Sequence, residues 1–303
     1  MIRLVLFDTG ETLLKGLAPQ PHVKESLAAI SQFESGDGER LTLGIVSDFK
    51  MPHAPVTAAK IRRLEKEFEQ IVSDAGLSEF FSPFKSHVTL SSRAGVFKPD
   101  QKIFQLAIKR SGTGATLGEC LFVTETPEHL AACRLLGMSI LRFGGGAGIQ
   151  PSFAEWIDAP GIIAGLVGPG SPANRELAAN VFLSARHGIT NFKMTDTAEG
   201  SRTRGCAQQL LALKGSDLGP LDGVFVEVPT TVDVKWAKDG RIAEATVQPP
   251  DKEEVSGVRT FVTSLVRNRQ VTLPGAKGIR ATHEVTEDGQ GRRRLIRRCF
   301  TAR

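Results

Sequence analysis

The sequence predicts an α/β first half, built on a parallel sheet with helices on both faces, followed by an α+β second half. Three observations carry this. Apolar runs at Leu4-Val5-Leu6-Phe7, Leu43-Gly44-Ile45-Val46 and Cys120-Leu121-Phe122-Val123 are short, lead into polar residues and are separated by stretches with helical spacing. Gly168-Pro169-Gly170-Ser171-Pro172 consists of turn formers and divides the chain near its middle. Beyond it, strand-like segments are joined by tight turns.

Taken in order, Leu4–Phe7 reads as a buried strand closed at once by Asp8 and a glycine-containing turn. Val23, Leu27 and Ile30 place a helix within 21–33, and the Gly-containing stretch 34–39 is a loop. A second strand ends at Ser47. A long helix is expected over 55–75, with Pro55 in its first turn and Ile61, Leu64, Phe68 and Ile71 as its apolar stripe. Val88–Leu90 is a short strand and 91–97 a loop. A helix follows Pro99 and carries Ile103, Phe104, Leu106 and Ala107. The strand ending at Val123 leads to a helix over 127–136 that stops at Gly137, and Ser139–Phe143 is a further strand. The glycine run Gly144-Gly145-Gly146-Ala147-Gly148 lacks the lysine of a phosphate-binding loop, so it reads as a connection. The βα pattern is complete by Val167. The expected domains are therefore 1–167 and 171–303, and a chain ending near Gly168 is expected to fold alone.

In the second half, 173–186 and 204–213 read as helices. Segments 224–228, 232–236 and 242–247 read as strands, the last two joined by a Lys238-Asp239-Gly240-Arg241 hairpin turn. A helix over 252–266 and a terminal hairpin of 280–286 with 294–300 complete an α+β domain.

The composition excludes several classes. With 303 residues, 41% hydrophobic and 23% charged, the chain is ordinary for a water-soluble protein long enough to bury real cores. No apolar run approaches the ~18 residues of a membrane span, and the N-terminus has no signal-peptide design. Cys120, Cys133, Cys206 and Cys299 form no CxxC pair, which argues against zinc and fits free thiols in a reducing cytoplasm. The net charge of +5 draws on Arg292-Arg293-Arg294 and Arg297-Arg298. Such a cluster can contact phosphates, but it is more often the solvated face of a strand, so nucleic acid is not the expected partner.

In open α/β sheets, ligands bind at the carboxyl ends of strands. Asp8 stands there, where a carboxylate can attack a phosphoryl centre or hold a metal; its bland alternative is a turn or helix cap. Ser47 and Glu125 follow apolar runs of their own, and Lys98 precedes Pro99. The order Asp8, Ser47, Lys98, Glu125, carried by "FDTGETL" and "GVFKPDQKIFQLAI", resembles the haloacid dehalogenase (HAD) superfamily over about the first half of the chain. A parallel Rossmann-like sheet is what that resemblance implies. It also implies that Asp8 is a nucleophile forming an aspartyl-phosphate. Thr12 would position the first motif, Ser47 would donate to a phosphoryl oxygen, and Lys98 would add positive charge. Mg²⁺ would be held by Asp8, the Gly10 carbonyl and Glu125. Each has an ordinary alternative: a turn hydroxyl for Thr12, a surface lysine for Lys98, a solvated loop carboxylate for Glu125.

The chain also departs from the pattern. The hydrolytic members usually carry a second aspartate, the general acid, where this chain has Gly10. Glu11 leaves the turn differently. Aspartate at position 10 would strain the turn if that residue needs positive φ. The fourth motif usually pairs Gly-Asp with a further aspartate; here it reads Thr124-Glu125, with His129 near the second acidic position. His129 is a possible proton carrier and more often a plain helix-face histidine. No large insertion separates the motifs, so neither usual cap domain is expected. An open site suits a phosphorylated small molecule or macromolecule. Two readings result: a Mg²⁺-dependent phosphatase-like hydrolase with an eroded site, or a catalytically weak or inactive HAD-like binding or scaffold domain fused to a C-terminal interaction or effector domain. Oligomeric state leaves no mark on the sequence.

Overall fold

The computed structural model describes residues 1–145, 151–168, 171–196, 201–274, 281–288 and 291–298. Gly146–Gly148 of the glycine run, Pro169-Gly170, the tip of the terminal turn at 289–290, Cys299 and Phe300 lie outside the described residues. The chain divides into two compact units: Met1–Ala185 with Trp236–Ala243, and Arg186–Lys235 with Glu244–Arg303.

The first unit begins with β1 (Leu4–Phe7), a short hairpin of β2 (Leu14–Lys15) and β3 (Ala18–Pro19), and α1 (Val23–Ile30). Then come β4 (Thr42–Ser47), α2 (Ala58–Asp74), α3 (Phe84–His87), β5 (Val88–Leu90), α4 (Ser91–Ala94) and α5 (Gln101–Ser111). Next are β6 (Cys120–Thr124), α6 (Pro127–Leu135), β7 (Ser139–Phe143), β8 (Ser152–Phe153), α7 (Ala159–Val167) and α8 (Pro172–His187). The sheet is six-stranded, in the order β5-β4-β1-β6-β7-β8, and every pairing in it is parallel. β1 is central and all four of its residues are buried, because helices cover both faces. Leu4 and Leu6 pack with Ile103 and Phe104 of α5 and with Leu130 and Cys133 of α6. Phe7 points the other way and meets Phe81 and Trp156. Alternate residues of one strand thus feed two cores, as the pleat requires.

Two expectations in this unit need correction. The long helix starts at Ala58, not near Pro55, because the Thr57 hydroxyl accepts from the Lys60 amide and caps it. Its fully buried residues are Phe68 and Val72; Ile61, Leu64 and Ile71 are only half-buried. The segment expected as a loop after β5 contains the single turn α4, ended by Gly95 at φ 72°.

The units do not divide at 168–172. α8 runs through Pro172 to His187, and the buried Asn174 near its start clamps the first unit. Asn174 Oδ1 accepts from the Glu34 amide at 3.0 Å, and Asn174 Nδ2 donates to the Glu34 carbonyl at 2.8 Å. The 238–241 turn also counts with this unit, since Gly240 lies against Gly161 of α7. A Cβ on either glycine would come within 2.6 Å of the other's carbonyl oxygen, so only glycine permits the approach.

The second unit contains β9 (Ile189–Asp196), β10 (Arg202–Ala212), most of β11 (Phe225–Trp236) and β12 (Ile242–Val247), then α9 (Lys252–Arg267), β13 (Val271–Thr272), β14 (His283–Glu287) and β15 (Arg293–Arg297). Its sheet runs β13-β14-β15-β11-β10-β9, with β12 beside β11. Val224, Val226, Val228 and Val285 form a core with Val262 of α9. The helix expected over 204–213 is instead the strand β10. Its helix-forming stretch Gln208–Ala212 is overruled by an antiparallel register with β11 that extends from Arg202↔Lys235 to Ala212↔Phe225. The two strands expected at 224–228 and 232–236 are one, continuous through Pro229. β9 was not expected from the sequence.

The arginine cluster is engaged locally. Arg292 pairs with Asp288 at 2.8 Å, Arg294 with Glu227 at 2.6 Å, and Arg293 donates to the Pro220 carbonyl at 2.6 Å. Cys120 and Cys133 are free thiols in the first core, and burial pushes both up to about 12. Cys206 is free and exposed. Iodoacetamide at pH 8 is therefore expected to alkylate Cys206 and to spare Cys120 and Cys133 until denaturant is added. Peptide mass mapping reads the result, and native labelling of Cys133 would mean that the α6 face is open.

Candidate active site

Asp8 is the first residue past the central strand, and it is buried. Its amide donates to the Val123 carbonyl at 2.9 Å, which carries the β1–β6 ladder to the site's edge. The Asp8 carboxylate is held at three points. Lys98 Nζ lies 2.5 Å from Oδ1, the Thr9 amide donates to Oδ1 at 2.7 Å, and the Thr124 hydroxyl donates to Oδ2 at 3.0 Å. This fixes the rotamer of Asp8 before any ligand arrives.

Lys98 is expected from sequence as an ordinary surface lysine on the bland reading; its side chain is in fact 2% exposed. Such a buried cation needs a partner, and Asp8 supplies it. The Lys98 main chain is fixed as well: its amide donates to Asp48 Oδ1 at 2.9 Å. Asp48 follows Ser47 directly, so the β4 end reaches Lys98 through its neighbour. The Lys98 ammonium also lies 5.7 Å from the centre of the Phe122 ring. Ser47 is buried at the end of β4, one strand over from Asp8.

Glu125 follows β6 on the opposite flank, half-buried. It is surrounded by threonine hydroxyls. Thr12 donates to Oε2 and Thr126 to Oε1 at 3.0 Å, while the Thr124 hydroxyl, whose proton goes to Asp8, lies 3.3 Å from Oε2. The Thr124 hydroxyl thus stands between the Asp8 and Glu125 carboxylates. Thr12 is fully buried and its oxygen also accepts from the Glu125 amide at 3.2 Å, so it ties the first motif to the fourth. The expected positioning role of Thr12 has a physical basis in these bonds.

Trp156 supports the same turn from below. Its indole N–H donates to the Thr12 carbonyl at 2.9 Å, while its ring packs against Phe7, Phe143 and Phe153. Trp156→Phe keeps an aromatic ring there and removes the donor. A loss of about 1–2 kcal/mol in urea unfolding is expected, and an unchanged midpoint would show that the Thr12 carbonyl finds another donor.

Gly10 is exposed, and a Cβ there would meet nothing within 4 Å. The turn takes its positive φ, 52°, at Glu11 rather than at Gly10. The steric reservation about aspartate at position 10 is therefore removed. Glu11 does not stand in for the missing acid: its Oε1 faces the Gly16 amide at 3.4 Å, toward the β2–β3 hairpin. His129 is half-buried on the first turn of α6, and its Nδ1 is buried with no hydrogen-bond partner. Burial lowers its pKa below the ordinary value. The charge of Lys98 lowers it further, while Asp8, Asp48 and Glu125 act in the opposite sense.

The donor set fits a small hard cation. Asp8 and Glu125 offer carboxylate oxygens with one hydroxyl between them, and the Gly10 carbonyl, which accepts from the Thr12 amide at 2.6 Å, keeps a second lone pair. No cluster of three or more His, Cys, Asp or Glu occurs among the described residues. A cation here would have only two carboxylates and one carbonyl from the protein and would take its remaining ligands from water.

Sequence reasoning named Asp8, Thr12, Ser47, Lys98 and Glu125, and the structure sets them at or beside three adjacent strand ends. It missed Asp48 and the supporting hydroxyls of Thr124 and Thr126. Asp48 is visible in the sequence as a carboxylate next to the strand-end serine; the threonines carry no signal of their own.

No protein-family model matches the chain, and no curated relative matches it. Solved structures do. A HAD-superfamily hydrolase of subfamily IA from Geobacter sulfurreducens aligns at 11% identity, covering 52% of this chain and 96% of that one, with a TM-score of 0.38. A HAD family hydrolase from Deinococcus radiodurans, with bound phosphate and sodium, aligns at 14% identity over 55% and 98%, with a TM-score of 0.40. A putative HAD-hydrolase from Bacillus subtilis, bound to magnesium, aligns at 12% identity over 51% and 95%, with a TM-score of 0.34. At such scores the likeness carries no argument of its own. What the structure itself shows in the first half is a six-stranded parallel α/β sheet with Asp8, Ser47 and Glu125 at adjacent strand ends and Lys98 drawn in to meet Asp8.

Proposed function

We propose that the first unit is a Mg²⁺-dependent hydrolase of phosphorylated compounds, with Asp8 as its nucleophile. The observation that supports this best is the buried Asp8 carboxylate, pinned by Lys98, the Thr9 amide and Thr124 at the end of the central strand. A carboxylate serving only as a turn cap needs no buried ammonium.

In this reading Asp8 attacks phosphorus and forms an aspartyl-phosphate, which water then hydrolyses. Lys98 holds the carboxylate in its attacking rotamer and balances negative charge beside it. Ser47 donates a hydrogen bond to a phosphoryl oxygen. Thr12 keeps the first turn and Glu125 in register. Asp8, Glu125 and the Gly10 carbonyl would hold the metal, which when bound would offset the repulsion between carboxylate and phosphate. The span 14–41 holds only a short hairpin and α1, and 48–97 only short elements around α2, so neither span forms a separate cap. A phosphorylated small molecule or an exposed phosphate on a macromolecule fits such an opening.

A panel of phosphate compounds, assayed with the full chain with and without Mg²⁺, tests the proposal. Phosphate release that EDTA abolishes is expected. Absence of turnover on every compound would favour the second reading, a binding scaffold. That reading draws support from Gly10 and from the engagement of Glu125 by the Thr12 and Thr126 hydroxyls.

A further inference from the structure

Resting on the hydrolase reading, we infer that the site is restricted to phosphoryl compounds whose leaving group departs as a stable anion, acyl phosphates being the simplest class. The argument concerns where a proton can come from. In the first step an Asp8 oxygen forms a bond to phosphorus, the bond from phosphorus to the leaving oxygen breaks, and that oxygen keeps the electron pair. An alkyl ester then needs a proton at the leaving oxygen, since an alkoxide is a poor leaving group. A carboxylate needs none.

Displacement at phosphorus sets the leaving oxygen roughly opposite the attacking one. Lys98, the Thr9 amide and the Thr124 hydroxyl all bind the Asp8 carboxylate itself, so they stand on the attacking side. Gly10 offers no side chain, and the space beside it is open. Glu11, the adjacent acid, has its backbone at φ 52° and its carboxylate toward Gly16. Glu125 accepts from the Thr12 and Thr126 hydroxyls. Burial and then the charge of Lys98 lower the pKa of His129, against the opposite pull of Asp8, Asp48 and Glu125, so its surroundings on balance disfavour the imidazolium form that could act as an acid. No side chain described around Asp8 supplies an acidic proton to the far side. The second step makes no such demand. Water attacks phosphorus, the bond from phosphorus to Asp8 breaks, and Asp8 leaves as the carboxylate it was at the start. The surplus proton of the water passes to solvent.

The test is the dependence of kcat/KM on leaving-group acidity, measured on the full chain with Mg²⁺. Acetyl phosphate (leaving acid ~4), phenyl phosphate (~10) and an alkyl phosphate form the series, the first two values being those of ordinary carboxyls and phenols. A fall of ~10³-fold or more from acetyl to alkyl phosphate is expected. Gly10→Asp, which the open space and the unstrained backbone allow, is expected to raise the alkyl-to-acetyl ratio by ~10²-fold or more. Wild-type rates within ~10-fold across the series would overturn the inference and leave the hydrolase reading standing. A folded Gly10→Asp with an unchanged ratio would also overturn it. The wild-type series decides the matter even if that variant is unstable. No hydrolysis of any member, acetyl phosphate included, overturns the hydrolase reading and this inference with it.

Discussion

Asp8→Asn is expected to lower phosphate release by on the order of 10⁴-fold or more, because an amide of the same shape cannot attack phosphorus. The variant has a second effect that the structure makes plain. Lys98 is buried and its ammonium sits 2.5 Å from Asp8 Oδ1. Asparagine leaves that ammonium with a hydrogen-bond acceptor but no counter-charge. Removing one partner of a buried pair costs on the order of 3 kcal/mol, so the melting temperature falls as well. Loss of activity could then be mistaken for loss of structure. The double variant Asp8→Asn with Lys98→Met separates the two, since it removes the stranded charge. It should recover much of the lost melting temperature and remain inactive. If Asp8→Asn keeps more than about a tenth of the wild-type rate, Asp8 is not the nucleophile.

A chain ending at Gly168 is expected to lose its cooperative unfolding transition, although the strand and helix pattern reads as complete there. The reason lies in α7. Ala159, Pro160, Gly161, Ile162, Ile163, Ala164 and Val167 are all buried, so this helix is covered nearly all round. Part of that cover is the backbone of Asp239 and Gly240, which lies against Gly161 and Gly165. Truncation removes it and exposes an apolar helix to water. It also removes Asn174 and both of its bonds to the Glu34 main chain. Asn174→Ala in the full chain isolates the smaller part, with an expected cost of ~2 kcal/mol. The truncated chain loses more than that from a total stability of only ~5–15 kcal/mol. A sigmoidal melt of residues 1–168 near the transition of the full chain would refute the prediction.

The parallel sheet was legible because buried central strands leave a short apolar run, and β1, β4 and β6 each lead into a polar residue with a place in the site. The hairpin turn at 238–241 was legible because Gly240, at φ 88°, favours a residue without a side chain. β10 was not. Its Gln-Gln-Leu-Leu-Ala stretch favours a helix locally, and the strand is imposed by pairing with residues of β11 that are distant in sequence. Gly205 shows the same constraint: a Cβ there would lie 2.3 Å from the Lys193 carbonyl oxygen of β9. β11 reads as two strands and is one; Pro229 within it lies between the stretch paired with β15 at Phe225 and the stretch where Gln248 bonds Thr231. In the site, Asp8 and Lys98 were legible as residue types, but their contact joins residues 90 positions apart and has no local signature.

The first unit takes back residues 236–243 after the chain has left it at 185. During synthesis this separates the moment when the strands leading to Asp8, Ser47 and Glu125 exist from the moment when their domain is whole. Asp8, Ser47, Lys98 and Glu125 have all been made by residue 125, yet the turn that covers α7 emerges more than 100 residues later. At ~5–20 residues per second the gap is several seconds or longer. From the completion of α7 at Val167 until that turn emerges, the growing chain carries an uncovered apolar helix, and a chaperone that shields α7 over this interval is expected to raise the yield of folded protein.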